Sequence, residues 1–139
     1  MVNRPKVLFL CTGNSCRSQM AEGLLRHLAG DRFDVFSAGT NPSRVHPLTI
    51  EVMNELDIDI YNQTSDPIDI YLYSGIDIVI TVCDNAQAAC PSFPGLAEQI
   101  HWSIEDPFQG WEKNPAHLPV YRKTRAILKK NIQAFIDQH

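Results

Sequence analysis

A strand-like run tied through one short loop to a helix-like run constrains this chain more than any other feature. Val7 to Leu10 is wholly apolar, as expected of a central parallel strand buried on both faces, although period alone does not separate it from a buried helix segment. The loop CTGNSCRS, Cys11 to Ser18, follows. From Met20 the residues Met20, Leu24, Leu25 and Leu28 recur at helical spacing, with Ser18 as the expected N-cap and Gly30 as the stop.

The pattern then repeats. Asp34 to Ala38 reads as a second strand, ended by Gly39 and Asn41-Pro42, and Pro47 opens a helix with Ile50, Met53 and Leu56 on one face. Ser65 or Asp66 is expected to cap a short helix running through Tyr71 and Leu72. Ile76 to Val82, a β-branched run, reads as a buried strand, and Gln99 to Ile104 as a weaker one that stops before Asp106-Pro107. The last helix is expected from about Val120 to Ile136, with Tyr121, Leu128, Ile132, Phe135 and Ile136 in its apolar stripe. Arg122, Lys123, Arg125, Lys129 and Lys130 would form a solvated face. Alternating strands and helices imply a single α/β domain over 1–139, with a parallel sheet covered by helices on both faces. In such folds ligands bind beyond the carboxyl ends of strands where the chain order reverses, and the loop after the first strand is a usual place.

Composition narrows the partners. With 12 Lys and Arg against 16 Asp and Glu, the formal charge of −4 and the lack of a basic tract argue against nucleic acid. The first ten residues lack a secretory signal and no apolar run reaches membrane-spanning length, so a cytoplasmic protein without a membrane partner is expected. Four cysteines in a reducing compartment then point to redox, catalytic or metal-binding use rather than structural disulfides.

Cys11 and Arg17 are separated by five residues at the start of a helix. A loop of that length can curl its amide N–H groups inward, with Gly13 permitting backbone angles that other residues avoid. Arg17 adds a planar fork matched to a tetrahedral oxyanion, and the helix N-terminus adds positive potential that also favours a thiolate. Thr12, Gly13, Asn14, Ser15, Cys16 and Arg17 are thus the expected oxyanion-binding set. Cys11 is the expected nucleophile, with Ser18 donating a hydrogen bond to it. Asp106, held beside Pro107, is the choice for the acid that protonates a departing oxygen, against the alternative that Asp-Pro is only a turn.

Cys83 follows the run Ile76–Val82 and would share a sheet edge with Cys11 if the two strands are parallel neighbours. Cys90 lies seven residues later. A helical segment would separate the two by about 10 Å, beyond the roughly 4.4–6.8 Å that a disulfide needs between Cα atoms. Residues 84–90 are therefore expected to be helical when the pair is reduced and to loop out when it is oxidised. Zinc is the competing use, but the C-x4-C and C-x6-C spacings do not match its usual pairs. Cys16 receives no role beyond packing or tuning the loop.

VLFLCTGNSCRSQMAEG, the Cys83/Cys90 pair followed by Pro91, and Asp106-Pro107 together resemble the thioredoxin-coupled arsenate reductases, which share the low-molecular-weight protein tyrosine phosphatase fold. The phosphatases of that fold usually have proline where Gln19 stands, lack the later cysteine pair and carry tyrosine where this chain has Phe108. The resemblance implies a three-layer sandwich with a central four-stranded parallel sheet, and a three-thiol reaction with phosphate or sulfate as substrate mimics. Cys11 attacks arsenate, Cys83 attacks Cys11 to release arsenite and form a Cys11–Cys83 disulfide, and Cys90 moves the disulfide to Cys83–Cys90. It requires no cofactor but suggests a potassium site at Asn14, Glu22, Ser37 and Asp66. A monomer reduced by thioredoxin is implied. Arg44, His46 and Pro47, however, resemble a stretch of reductases that draw on glutathione and glutaredoxin. The rival readings are a tyrosine phosphatase working through a phosphocysteine, and a non-catalytic anion-binding or thiol-sensing module. The stretch FQGWEKNPAHLP is longer than the thioredoxin-coupled group leads one to expect and has no account in the sequence.

Overall fold

The computed structural model describes residues 4–83 and 93–139. Its strands are β1 (Lys6–Cys11), β2 (Asp34–Gly39), β3 (Ile78–Thr81) and β4 (Glu98–His101), and its α-helices are α1 (Arg17–Ala29), α2 (Pro47–Asn54) and α3 (Leu118–Gln138). The strands form one parallel sheet in the order β2-β1-β3-β4. The expected four-stranded α/β architecture is therefore present. Because β2 and β3 flank β1 on opposite sides, the chain order reverses at β1, and the loop leaving its carboxyl end stands at the switch point.

Alternation along β1 sorts the two faces. Val7, Phe9 and Cys11 point to the side on which α1, α2 and α3 pack, where Met20, Leu24, Met53, Tyr121 and Leu128 complete a core. Leu8 and Leu10 point to the other side, which Phe93, Ile68, Tyr71 and Leu72 cover. Among the described residues, then, all three α-helices share one face, and where helices were expected on the second face a 3-10 turn (Ile68–Tyr71) and irregular chain form the layer instead. β4 is a polar edge strand, which explains its faint signal in sequence.

Several local expectations are corrected. The N-cap of α1 is Cys16, and Ser18 lies inside the helix, fully buried. The turn at Ile68–Tyr71 is 3-10, with Pro67 at its N-cap, so neither Ser65 nor Asp66 caps it. The weak strand begins at Glu98 and ends at His101, short of Ile104, and the β-branched strand is trimmed to Ile78–Thr81. On α3, Arg122 and Arg125 are not merely solvated: both pair with Glu55 at 2.7 Å, clamping the end of α2.

Candidate active site

Every carbonyl of the loop between β1 and α1 is bound on the loop's outer side. Cys11 O accepts from Thr40 N–H, Thr12 O from Asn41, Gly13 O from Ser43, Ser15 O from His46 and Cys16 O from Met20. Gln19 Nε2 donates to Asn14 O at 2.9 Å. A trans peptide sets its N–H opposite its C=O, so the amides of residues 12–17 face the interior of the loop. Asn14 N–H, 3.1 Å from Cys11 Sγ, has this orientation. The result is a ring of donors around the sulfur, as expected for an oxyanion cradle.

The left-handed residue of this loop is Asn14, with φ 49°, and not Gly13, for which no positive φ occurs. Asparagine tolerates that conformation, and its side chain is held on three sides. Asn14 Nδ2 donates to Ser18 Oγ at 2.7 Å and to Ser37 Oγ at 3.0 Å, and Asn14 Oδ1 accepts from Asp66 N–H. The glycine the loop does need is Gly39: a Cβ there would stand 2.5 Å from Thr12 O.

Ser18 Oγ lies 2.9 Å from Cys11 Sγ. Since that oxygen already accepts from Asn14, its own hydrogen is available to the sulfur, a geometry compatible with the donor role expected of Ser18, although the residue is not a cap. Arg17 is also buried; its Nη1 donates to Ile104 O at 2.9 Å and its Nη2 lies 3.4 Å from Asp106 Oδ2. Asp106 is thereby brought beside the cradle, its carboxylate 44% exposed and its Oδ1 accepting from Phe108 N–H. Cys11, Thr12, Gly13, Ser15, Cys16, Arg17 and Asp106 line one cleft of about 420 Å³, whose outer wall is Phe108 and Trp111. A second cavity, of about 500 Å³, lies against Glu22 and Arg26 and has no cysteine in its lining.

Cys16 is buried, and burial pushes its thiol above the usual range. Its sulfur lies 3.6 Å from both Ser15 Oγ and Tyr121 Oη, a packing position at the back of the loop. Cys83 is buried two residues beyond β3, and β3 pairs with β1. Cys11 and Cys83 thus occupy the same carboxyl edge of neighbouring strands. Cys90, and with it the expected conformational change of residues 84–90, lies outside the described residues.

The residues suggested for potassium converge, and several of their oxygens take part in hydrogen bonds. Ser37 donates to Glu22 Oε1 at 2.5 Å, Thr64 donates to Asp66 Oδ2 at 2.8 Å, and Arg26 Nη2 lies 2.6 Å from Glu22 Oε2. The same Arg26 nitrogen donates to Val35 O at 2.6 Å. A guanidinium therefore stands as a cation facing Glu22.

Sequence reasoning missed several supports of the site. Gln19 bridges Asn14 O and Thr64 O, and Ser43 and Ser65 hydroxyls both reach Gly13 O. Arg44 lies over the Trp111 ring, with its guanidinium 4.3 Å from the ring centre. Apart from the Gln19–Asn14 bond, these contacts join segments far apart in sequence and leave no local signal.

Residues 6–138 match the low molecular weight phosphotyrosine protein phosphatase family. An arsenate reductase of Bacillus cereus is 49% identical over 138 residues, covering 99% of this chain and 98% of its own. A solved structure described as an arsenate reductase in the phosphate binding state superimposes with a TM-score of 0.80 at 36% identity, covering 96% of this chain and 98% of that one. A thioredoxin-dependent arsenate reductase of Corynebacterium glutamicum superimposes at 0.63 with 32% identity, over 94% of this chain and 63% of that one. The chain belongs to the low molecular weight phosphotyrosine protein phosphatase family, and within it groups with proteins named arsenate reductase.

Proposed function

We propose that this protein reduces arsenate to arsenite through Cys11, Cys83 and Cys90. The observation that carries the reading is the ring of inward amides around Cys11 with the Cys83 thiol buried at the same sheet edge. A phosphatase needs only the ring.

Arsenate enters the cradle against the amides and Arg17. The Cys11 thiolate forms a sulfur–arsenic bond as a hydroxide leaves, and Asp106 protonates it to water. Cys83 then attacks the Cys11 sulfur. The sulfur–arsenic bond breaks and its electron pair stays on arsenic, which departs as arsenite, leaving a Cys11–Cys83 disulfide. The two electrons taken up by arsenic are those lost by the two sulfurs. Cys90 attacks Cys83 and returns Cys11 to the thiolate, and an external dithiol reduces the Cys83–Cys90 disulfide. Thioredoxin is the proposed reductant, supported by the thioredoxin-dependent relative; glutaredoxin with glutathione is the alternative. A monomer in the reducing cytoplasm suits this cycle, and no described helix is long and apolar enough to cross a membrane. The cycle uses no cofactor and no potassium step.

Phosphate has the same tetrahedral shape, and the Phe108–Trp111 wall gives an aryl group somewhere to lie, which favours hydrolysis of aryl phosphates as a side reaction. A Cys83→Ser, Cys90→Ser double variant separates the two activities. The reductase reading predicts that arsenate turnover with thioredoxin stops while aryl phosphate hydrolysis continues. Undiminished arsenate turnover in that variant would contradict it.

A further inference from the structure

The chain between Asp106 and the 3-10 turn at Pro115–His117 contains no strand or helix, yet it carries the acid and the outer wall of the cleft. Its fixed points are few. Pro107 is buried, Asp106 pairs with Arg17, and Lys113 reaches Glu51 at 3.3 Å. Between them Gly110 adopts φ 105°, a conformation favourable to glycine alone, and its carbonyl lies 2.8 Å from His46 Nε2.

His46 is fully buried and makes contacts in four directions. Its backbone N–H donates to Ser15 O of the cradle. Leu48 N–H donates to its Nδ1 at 3.0 Å, capping α2. With Nδ1 an acceptor, the single ring proton sits on Nε2 and is donated to Gly110 O. The ring stacks on Trp111 with centroids 5.3 Å apart and an interplanar angle of 13°, and meets the edge of Phe108 at 5.8 Å. Burial holds the imidazole below its usual protonation range, in keeping with a neutral ring.

We propose that His46 is the positioning residue that couples the cradle to the acid loop: one side chain and its own amide hold Ser15 and Gly110 together, setting Asp106 over Cys11. The Phe108-to-Pro119 insertion, unexplained by sequence, is on this account the strap that His46 fastens. The inference rests on the arsenate reductase reading, in which Asp106 is the acid.

His46→Asn tests it. Asparagine retains an acceptor for Leu48 N–H and is a good N-cap, so α2 is kept, but it is too short to reach Gly110 and has no ring to stack. Misplacing a reacting group by about 1 Å can cost on the order of 100-fold. The single-turnover rate of arsenite release is therefore expected to fall by about 10- to 100-fold. The KM for arsenate should stay within about twofold of wild type, because the amide ring and Arg17 are untouched. In an Asp106→Asn background the same change should cost less than about twofold, since there is no acid left to misplace. Amide exchange should accelerate over residues 106–112 and stay unchanged in α2.

An undiminished rate in His46→Asn, or an equal loss with and without Asp106, would overturn the proposal. Should His46→Asn fail to fold, Trp111→Ala replaces it: this residue lies at the surface, and removing the stack should give a loss of about 5-fold that again vanishes without Asp106. Failure of the reductase reading looks different. Wild-type protein would then leave arsenate untouched, and exchange over 106–112 alone would decide whether His46 fastens the loop.

Discussion

Ser18 Oγ lies 2.9 Å from Cys11 Sγ and accepts a hydrogen bond from Asn14 Nδ2, so the serine proton is directed at the nucleophile. A hydrogen bond to a charged group contributes about 1.5–3 kcal/mol. Ser18→Ala should therefore slow alkylation of Cys11 by iodoacetamide at neutral pH by about 10-fold, while Ser18→Thr retains most of the rate. Equal rates in wild type and Ser18→Ala would remove Ser18 from the mechanism.

Gly39 makes room for the cradle, since a Cβ there would stand 2.5 Å from Thr12 O and 3.0 Å from Asn14 N. Overpacking of this kind costs about 1–3 kcal/mol. Gly39→Ala should lower the melting temperature and also shrink the additional stabilisation given by phosphate, because the displaced atoms belong to the amide ring. A variant that loses stability yet keeps the full phosphate-dependent shift would show that Gly39 serves packing alone.

The strand-loop-helix unit around Cys11 was legible because its signals are local: an apolar run, a C-x5-R loop and helical spacing fall within one stretch. Cys83 was legible for the same reason, at the end of a β-branched run. The short 3-10 turn, the edge strand β4 and the cap of α1 were read less well. β4 is polar on most positions, and a buried serine inside a helix looks in sequence like a cap. The contacts that His46, Gly39 and Gln19 make in the site gave no signal, although each residue was noted for another reason. Their partners are Gly110, Thr12 and Thr64, and only the parallel crossovers bring those residues near.

Arg26 supplies the cation facing Glu22, whose carboxyl burial pushes above its ordinary value of 4.5. A folded-state value raised above the unfolded one means stability that is present below about pH 4.5 and lost as pH rises through the raised value. Wild-type stability and turnover should be the same in sodium and potassium chloride. Arg26→Ala should steepen the loss of stability on the alkaline side of this window, and potassium should then stabilise the variant relative to sodium. A potassium-specific stabilisation of the wild type would contradict the assignment.

Glu55 joins the end of α2 to α3 through Arg122 and Arg125, which together hold its carboxyl down at about 2. A lowered value has the opposite sign: the stabilisation is present above the unfolded value of 4.5 and is lost as pH falls towards 2. Glu55→Gln should cost about 1 kcal/mol at neutral pH, given its partial exposure, and flatten the acid limb of the stability curve. Urea midpoints between pH 2 and pH 7 provide the check. An acid limb identical to wild type would show that the clamp adds nothing.

In the proposed relay, the sulfur in the amide ring and the sulfur at the end of β3 act in one reaction. Fully reduced protein mixed anaerobically with arsenate, without any external reductant, should release one arsenite per chain and lose two thiols, and peptide mapping should find the Cys83–Cys90 disulfide. Retention of all four thiols with no arsenite formed would contradict the relay and leave hydrolysis of phosphate esters as the chemistry of the cradle.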